Sequence, residues 1–443
     1  MHSMLKQKIT FVCQQCGNES PKWLGQCSSC GAWNSLVETT RFTGKGKSAT
    51  LQSERRSIIP LKLHQVKSIQ SARLSTKLIE FDRVLGGGIV PGAVVLVAGD
   101  PGVGKSTLLL NLVGQVGGLY VAGEESPEQV KLRADRLGIA QDGVLIVSET
   151  TIEAIIDAIK KSFGSAQDKP KVVVVDSIQT VTSDMLDGIA GSVGQIRQAA
   201  QQLIQLAKKE NIPIFIVGHV TKEGTIAGPK ILEHMVDVVC YFEGERYYQG
   251  RILRALKNRF GPTDEVGIFE MNENGLTEIA NPSKLFLEGR VKNVPGSTVG
   301  VTLEGTRPLL VEIQSLIVSS QLAIPRRVVN GVDFNRLQVI IAILQKRLNL
   351  PLGNFDVFVN VSGGLKLKEP AVDLPIALSL ISAFKNKPLP DTLASFGELG
   401  LLGEIRRVQG EEQREKEAKR LGFHQAIIPS QYSSINGLNK QFF

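Results

Sequence analysis

The sequence predicts an α/β fold with a central P-loop unit, a small metal-bound unit before it and an α+β unit after it. Three observations carry this prediction. Apolar runs alternate with helical patterns from about 75 to 280, four cysteines stand in two close pairs before residue 31, and the pattern changes after Pro282. Such alternation is typical of a parallel sheet whose two faces are covered by helices.

The two cysteine pairs come first along the chain, each with the spacing C-x₂-C and each followed by a glycine. Their members are Cys13, Cys16, Cys27 and Cys30. Together they bring four thiolates to one ion, which predicts a closed tetrahedral Zn²⁺ site of the structural kind. Disulfides and redox thiol pairs are the competing interpretations. We expect Trp23 and Trp33, which flank the second pair, to pack the core of this ribbon.

The composition is that of an ordinary globular protein, with 42% hydrophobic and 21% charged residues. No apolar run reaches the roughly 18 residues of a membrane span, and the N-terminus lacks an apolar signal core. We therefore expect a cytoplasmic protein without a membrane partner. The net charge is +8, and residues 41–77 hold nine Lys or Arg and one acid, Glu54. This excess favours a nucleic-acid partner, and charge for solubility alone is the alternative.

A glycine-rich loop follows the apolar run 94–97 and precedes a helical pattern. Its residues are Gly99, Asp100, Pro101, Gly102, Val103, Gly104, Lys105, Ser106 and Thr107. They fit G-x-x-x-x-G-K-[ST] in the strand–loop–helix context that the motif requires. Glycines let backbone N–H groups turn towards phosphate oxygens, Lys105 supplies a positive charge, and Ser106 supplies a hydroxyl for Mg²⁺. The loop therefore predicts a site for ATP and Mg²⁺.

A later strand, Val172–Val175, ends in Asp176, where P-loop proteins hold Mg²⁺. Many ATPases place a glutamate next, but Ser177 stands here, so the group that orients the attacking water must come from elsewhere. Glu124, which follows another apolar strand, is the favoured candidate. Its neighbour Glu125 is the alternative, and both acids are also favourable at a helix N-terminus without any catalytic role.

The remaining elements follow from the same patterns. Strands are predicted at 93–98, 118–122, 143–147, 171–176 and 213–218, and helices near 105–115, 126–137, 151–163 and 193–210. Runs at 236–243, 250–256 and 265–271 are expected to extend the sheet as hairpins. The C-terminal unit is expected to contain extended runs at 285–293, 298–304 and 309–317, a strand at 355–361, a hairpin near 395–408, and helices near 333–348, 371–385 and 410–421.

Several motifs resemble those of RecA-type ATPases, whose catalytic glutamate follows the second strand, and more closely those of the bacterial RadA family, also called Sms. The matching segments are Leu85–Gly92, Asp176–Thr180, Gly218–Gly224 and Lys257–Gly261. With the cysteine ribbon in front, the resemblance spans the chain and implies a RecA-like core. It implies an ATP-driven motor on single-stranded and branched DNA, similar to hexameric DnaB-type helicases, that promotes branch migration in repair alongside the RecA recombinase.

The resemblance also implies residue roles. In a ring, the loop from Ser183 to Gly194 and a second loop from about 222 to 233 would face the channel, where Lys222 and Lys230 would neutralise phosphates. Ordinary surface loops are the alternative. His219 would sense the γ-phosphate and couple hydrolysis to the second loop, or else serve as a structural histidine.

Lys257 and Arg259 are implied to reach the nucleotide of a neighbouring subunit, as an arginine finger does, and a contact to DNA is the competing role. The domain boundaries that we predict are a Cys₄ zinc ribbon at 1–40, a basic linker at 41–65, a RecA-like ATPase at 66–280 and a further domain at 281–443.

From about residue 285 the chain resembles the proteolytic domain of Lon proteases, in segments 356–364 and 396–405. Lon uses a serine nucleophile and a lysine base. The alignment places Ala371 at the serine and Glu412 at the lysine, so we predict an inactive Lon-like scaffold that serves ring assembly and DNA contacts. A basic surface or scattered solubility charges are the two interpretations of Lys346, Arg347, Lys366 and Lys368.

Two functions from different classes follow. The first is a DNA-dependent ATPase that acts as a helicase-like motor, and the second is an ATP-switched regulator of assembly without motor activity. Glu124, Asp176 and the pair Lys257 and Arg259 favour turnover over simple binding. An ATP-dependent peptidase is a third possibility, and the missing serine and lysine count against it.

Overall fold

The computed structural model describes most of the chain. The described residues are 6–13, 15, 18–43, 73–139, 143–164, 170–219, 230–244, 250–273, 275–279 and 281–443. They divide into two compact units, the first from described parts of 1–243, 251–263 and 271–277, and the second from described parts of 244–250, 264–270 and 278–443. No helix among these residues is both long and apolar enough to span a lipid bilayer.

The N-terminal ribbon is a three-stranded antiparallel sheet in the order β2-β1-β3. Its strands are β1 (Lys6–Cys13), β2 (Glu19–Ser20) and β3 (Leu36–Thr43). Cys13, Cys27 and Leu36 form its buried core, with Phe11 packed against them. The prediction that the tryptophans pack this core is wrong, because those three residues already fill it. Trp23 and Trp33 are instead 54% and 72% exposed.

The first unit continues with the alternating strands and helices that the sequence predicts. In chain order the elements are α1 (Ile79–Val84), β4 (Val94–Gly99), α2 (Lys105–Val116), β5 (Gly118–Ala122), α3 (Pro127–Arg136), β6 (Val144–Ser148), α4 (Ile152–Gly164), β7 (Val172–Asp176), α5 (Val193–Glu210), β8 (Ile214–His219), α6 (Lys230–Glu233), β9 (Val238–Glu243), β10 (Gly250–Asn258) and β12 (Gly275–Glu278). The strand between the last two, β11 (Val266–Asn272), belongs mostly to the second unit.

Seven of these strands lie side by side in the order β10-β9-β4-β8-β7-β5-β6. All neighbouring pairs from β9 to β6 are parallel, and β10 runs antiparallel to β9. Every residue of β4, β5 and β7 is buried, as expected for strands covered by helices on both faces. Because β4, β5, β7 and β8 are parallel, their C-terminal ends meet at one edge of the sheet, and this edge carries the candidate site.

The second unit is α+β, as predicted. Its elements are α7 (Pro282–Phe286), β13 (Ser297–Glu304), β14 (Arg307–Ser319), β15 (Arg327–Asn330), α8 (Phe334–Leu348), β16 (Phe355–Val361), α9 (Asp373–Lys385), β17 (Leu393–Ser395), β18 (Glu398–Leu399), β19 (Ile405–Arg406), α10 (Glu411–Arg420), β20 (Gln425–Ile427) and α11 (Ile435–Phe442). Six strands form one sheet in the order β15-β16-β14-β13-β17-β20. The extended run predicted at 285–293 is wrong, because Pro282 starts a short helix there and turns follow it.

Candidate nucleotide site

The glycine-rich loop joins the buried strand β4 to α2, as the motif predicts. Gly99, Gly102 and Gly104 have φ angles of +152°, +79° and +109°, which side chains rarely adopt. A Cβ on Gly99 would lie 2.3 Å from the carbonyl oxygen of Phe242, whereas a Cβ on Gly102 would meet nothing within 4 Å. A Cβ on Gly104 would lie 2.5 Å from Met271 Cε, so only Gly102 of the three has open space beside it. The loop stands at the N-terminus of α2, where a phosphate cradle is expected.

Lys105, the first residue of α2, is buried beneath this loop. Its Nζ donates hydrogen bonds of 2.9 Å to the carbonyl oxygens of Gly99 and Asp100. Burial lowers the pKa of Lys105 to about 8, against the opposing effect of the nearby Asp176, Asp100 and Glu124 carboxylates. Phosphate charge at the loop would favour the protonated ammonium further.

Asp176 ends β7 and is held by a residue that the sequence analysis did not single out. The hydroxyl of Tyr120, in the neighbouring strand β5, donates to Asp176 Oδ2. Burial first, and then the charge of Asp176, raises the pKa of Tyr120 well above its ordinary value, so this hydroxyl keeps its proton. The sequence did contain a signal for this contact, because Tyr120 is the one polar side chain inside a strand of buried apolar residues.

The other oxygen of this carboxylate, Asp176 Oδ1, is buried and has no hydrogen-bond partner among the described residues. An ionised oxygen left unpaired in the interior is costly unless a ligand reaches it. Mg²⁺ takes carboxylate and hydroxyl oxygens, and Ser106 lies in the first turn of α2 after the loop. The residues present therefore fit a Mg²⁺–nucleotide complex. The peptide bond between Asp176 and Ser177 is cis.

Glu124 lies where β5, β7 and β8 end. The hydroxyl of Ser177 donates to Glu124 Oε1, and His219 Nε2 lies 3.5 Å from the same oxygen. The interaction with His219 lowers the pKa of Glu124 to about 2, helped by Ser177 and the charge of Lys105 and opposed by burial. Its side chain remains 42% exposed, so an ionised carboxylate faces the open end of the site.

Glu125 has a different environment from its neighbour. Its carboxylate forms an ion pair with Arg133, whose side chain extends from α3 and is 12% exposed. Glu125 is thus held towards α3, while Glu124 contacts the ends of two other strands. The sequence alone did not decide which of these two acids orients the attacking water, since they are adjacent and both precede the Ser126 N-cap of α3.

His219 is the last residue of β8 and pairs with Gly99 across the sheet, which places it beside the loop. Its carbonyl oxygen accepts a hydrogen bond of 3.3 Å from Gln179 Nε2. The second predicted DNA loop, from about 222 to 233, comes next in the chain after β8. Lys222 lies outside the described residues, whereas Lys230 begins α6 and is exposed.

The first predicted DNA loop, Ser183–Gly194, contains two aspartates and no Lys or Arg. The buried side chain of Gln195 holds it, with Gln195 Oε1 accepting a 2.7 Å hydrogen bond from the backbone N–H of Ser183. Met185 and Ile189 are 76% and 81% exposed at its surface. Any phosphate neutralisation by the two loops therefore falls to the second.

The structure does not bring Lys257 and Arg259 to the glycine loop of their own chain. Arg259 Nη1 lies 3.2 Å from Asp237 Oδ1, and Asp237 Oδ2 accepts a 3.1 Å hydrogen bond from the backbone N–H of Val94. Val94 begins β4, and the loop follows the other end of that strand. At roughly 3.3 Å per residue, about 16 Å separates the two ends.

Lys257 is occupied within its own chain. Its Nζ donates to the carbonyl oxygens of Glu233, His234 and Val236, at 2.7, 3.3 and 2.8 Å. An ammonium group has three N–H donors, so these carbonyls use all of them. They lie at the end of α6, and Lys257 thus fixes the helix that carries Lys230.

Three of the four predicted zinc ligands come together in the ribbon, and Cys16 lies outside the described residues. The sulfur atoms of Cys13, Cys27 and Cys30 all lie within 4.8 Å of one another. The 3.6 Å between Cys13 Sγ and Cys30 Sγ is too long for a disulfide, and it matches the about 3.8 Å edge of a tetrahedron with Zn–S bonds of about 2.3 Å. The thiols therefore fit Zn²⁺.

The peptidase-like position in the C-terminal unit has no nucleophile or amine. Ala371 is fully buried in an apolar cluster with Phe396 and Ala418, and Glu412 is exposed on α10. Arg414, also on α10, is fully buried and forms two hydrogen bonds with Glu369, Nη1 to Oε1 at 2.8 Å and Nη2 to Oε2 at 2.5 Å. A methyl group and an ion pair cannot perform acyl transfer.

The four basic residues predicted for this unit are not one cluster of free charges. Arg347 donates to the carbonyl oxygen of Leu401 at 3.2 and 3.3 Å. Lys346, Lys366 and Lys368 are exposed. Their role in DNA contacts stays a prediction.

Comparison with protein families gives three matches along the chain. Residues 11–38 match the rubredoxin metal binding domain, residues 74–282 match KaiC, and residues 322–432 match subunit ChlI of Mg-chelatase. They follow the predicted order of zinc ribbon, RecA-like P-loop ATPase and Lon-like α+β domain, and they confirm this fold class.

Relatives match over nearly the full length. DNA repair protein RadA of Bacillus subtilis (strain 168) is 50% identical over an aligned length of 444 residues, and the alignment covers 99% of this chain and 95% of the relative. DNA repair protein RadA of Halalkalibacterium halodurans is 50% identical over 432 residues, 96% of this chain and 93% of the relative. The protein of the same name from Listeria monocytogenes serovar 1/2a is 50% identical over 430 residues, 96% and 92% respectively.

Solved structures give weaker likenesses. The RadB recombinase aligns with a TM-score of 0.37 and 23% identity, over 46% of this chain and 99% of that chain. A KaiC-like protein from Pyrococcus horikoshii OT3 aligns with a TM-score of 0.39 and 18% identity, over 47% and 99%.

Proposed function

This chain belongs to the RadA family of DNA repair proteins, and from that premise we propose that it is a DNA-dependent ATPase that works as a ring-shaped motor on single-stranded DNA. We propose that the ring is a hexamer that promotes branch migration on branched DNA alongside the RecA recombinase. The observation that best supports turnover is the meeting of Lys105, Asp176 and Glu124 at one sheet edge, with a buried carboxylate oxygen left unpaired.

Binding begins at the loop. The backbone N–H groups and the ammonium of Lys105 would hold the phosphates, and Lys105 would exchange its carbonyl partners for phosphate oxygens. Asp176 Oδ1 and the Ser106 hydroxyl would hold Mg²⁺. When bound, Mg²⁺–ATP supplies the phosphoanhydride bond and a charge that neutralises the leaving phosphates. Tyr120 fixes the Asp176 carboxylate by occupying its other oxygen.

Glu124 positions the attacking water. A carboxylate with a pKa of about 2 stays ionised and accepts hydrogen bonds, but it is a poor proton acceptor near neutral pH. We infer that Glu124 aligns the water for in-line attack rather than removing its proton early. The contacts from Ser177 and His219 hold its carboxylate in one orientation.

DNA would act on this geometry through β8. His219 contacts Glu124, and the chain then continues into the second loop and on to Lys230 in α6. DNA phosphates held by that loop would shift His219 and so the Glu124 carboxylate. This route makes hydrolysis responsive to DNA without any direct contact between DNA and nucleotide.

The location of Arg259 supports a ring. Its side chain is 51% exposed and far from the glycine loop of its own chain, so it would complete the site of a neighbouring subunit. Lys257 is the weaker candidate for that role, because its three donors bond to carbonyls at the end of α6.

The rate of ATP hydrolysis with and without single-stranded DNA, at increasing salt, tests the proposal. The expected result is stimulation by DNA that weakens as salt rises, since phosphate contacts release counterions. Lys105→Ala, which removes the ammonium, serves as the control without turnover. If the wild-type protein binds ATP but hydrolyses it at a rate that DNA does not change, an ATP-switched assembly factor is favoured.

A further inference from the structure

We propose that the zinc ribbon carries a separate binding site for single-stranded nucleic acid, formed by the exposed indole rings of Trp23 and Trp33. This site lies outside the ATPase elements to which the motor activity was assigned above. It goes beyond that activity, because stacking on the ribbon requires neither ATP nor the channel loops.

The indoles are not used to stabilise the ribbon. Its core consists of Cys13, Cys27 and Leu36, whose exposed fractions are 1%, 2% and 4%. Trp23 and Trp33 remain 54% and 72% exposed, although indole is among the side chains that gain most from burial. Two such rings left at the surface of a small metal-stabilised unit indicate a contact made with another molecule.

The fold places the two rings at one location. The backbone N–H of Asn34 donates to the carbonyl oxygen of Gly25 at 2.8 Å, and Gln26 forms a β-bridge with Trp33, so the two segments run side by side. A Cβ added to Gly25 would lie 3.8 Å from both Trp23 Cη2 and Trp33 Cζ3. The two rings therefore lie next to each other at the surface beside Gly25.

The charges nearby select the occupant. No Asp or Glu stands between Glu19 and Glu38, and Lys22 is exposed beside Trp23. The segment that follows, 41–77, holds nine Lys or Arg and one acid. An exposed aromatic pair that a strongly basic segment follows in the chain matches a flexible polyanion with planar bases, and it offers little to a purely aliphatic protein surface.

Base stacking on indole depends weakly on sequence, because every base has a π face. Duplex DNA keeps these faces inside its own stack, so the site is expected to prefer single strands. DNA and RNA share this chemistry, and separate titrations with oligo(dT) and oligo(rU) distinguish them.

The two tryptophans are the only ones in the chain, so intrinsic tryptophan fluorescence reports on this site alone. The full-length zinc-loaded protein is titrated with oligo(dT) in the absence of nucleotide. Saturable quenching is expected, weaker with duplex DNA of equal length. Binding of labelled oligo(dT) without any change in tryptophan fluorescence would overturn the proposal.

Matched variants separate stacking from folding. Trp23→Leu with Trp33→Leu should raise the Kd for oligo(dT) about tenfold, measured by anisotropy of the labelled strand. Trp23→Phe with Trp33→Phe keeps aromatic faces and should recover most of that loss. Zinc content of each variant verifies the ribbon. Equal affinities in all three proteins would exclude the site.

The same samples distinguish this proposal from the motor activity. ATPase stimulation by DNA without quenching would support the motor activity and exclude the ribbon site. Quenching without stimulation would do the reverse.

Discussion

Two places in this chain resemble enzyme active sites, and they differ in how their buried charged groups are partnered. At the nucleotide edge, Asp176 Oδ1 is buried without a hydrogen-bond partner among the described residues. At the peptidase-like position, Arg414 and Glu369 satisfy each other, and Arg414 also donates to the carbonyl oxygen of Val301 at 2.6 Å.

The difference separates a site where a carboxylate oxygen is left for a ligand from a position where the charged groups pair with each other. An unpaired buried acceptor costs free energy, and a chain retains it where a bound group repays that cost. At the peptidase-like position Ala371 is buried and Arg414 pairs with Glu369, so these two charges are satisfied within the chain. The partners of the buried charged groups at a position therefore say more about its activity than resemblance to an enzyme family does.

The largest expected effect falls at the nucleotide edge. Lys105→Ala should reduce ATP turnover about a thousandfold, because it removes a buried charge that would face the transferred phosphate. Phosphate release under saturating ATP measures the loss, and thermal unfolding checks that the variant is folded. Activity within tenfold of the wild type would mean that ATP is not hydrolysed at the nucleotide edge.

The peptidase-like position should respond in stability and not in catalysis. Arg414→Met leaves Glu369 without its main partner, which should lower the free energy of unfolding by about 3 kcal/mol, a factor of about 150. Proteolysis at increasing urea concentration, monitored through the fragments of the C-terminal unit, measures this change in the free energy of unfolding. The double variant Arg414→Met with Glu369→Leu should recover part of the loss, and an unaffected single variant would contradict a closed, satisfied site.

Glu124→Gln sharpens the comparison within the nucleotide edge. The amide cannot orient water as a carboxylate does, so turnover should fall about a hundredfold while ATP binding is retained. Glu125→Gln is the matched control, since its side chain pairs with Arg133 on α3. Single-turnover hydrolysis separates the two steps, and equal losses in both variants would remove the distinction between the acids.

The smallest effect concerns pH. Burial lowers the pKa of Lys105 to about 8, so free protein loses this charge as the pH rises through 8, whereas bound phosphate favours the protonated form. ATP binding above pH 8 should take up a proton, and the Kd should rise about tenfold between pH 7 and 9. Calorimetry in buffers of different ionisation enthalpy tests this. Lys105→Arg, which does not titrate there, should bind with a pH-independent Kd.

The sequence predicted the alternation of strands and helices, the glycine loop and the cysteine pairs, because each depends on local pattern and spacing. It did not predict Tyr120 as the partner of Asp176, since that contact joins neighbouring strands that are 56 residues apart in the chain. It also misplaced Trp23 and Trp33, because hydrophobicity alone does not say which of several apolar residues fill a core as small as the ribbon's. The roles of Lys257 and Arg259 depend on a neighbouring subunit.

The peptidase-like position also bears on how peptidase activity could be created. Restoring serine at Ala371 and lysine at Glu412 would place a hydroxyl in an apolar cluster and an amine on an exposed helix surface. Neither replacement alone would supply both a nucleophile and a base. We therefore expect that no single substitution at these two positions would create peptidase activity in this domain.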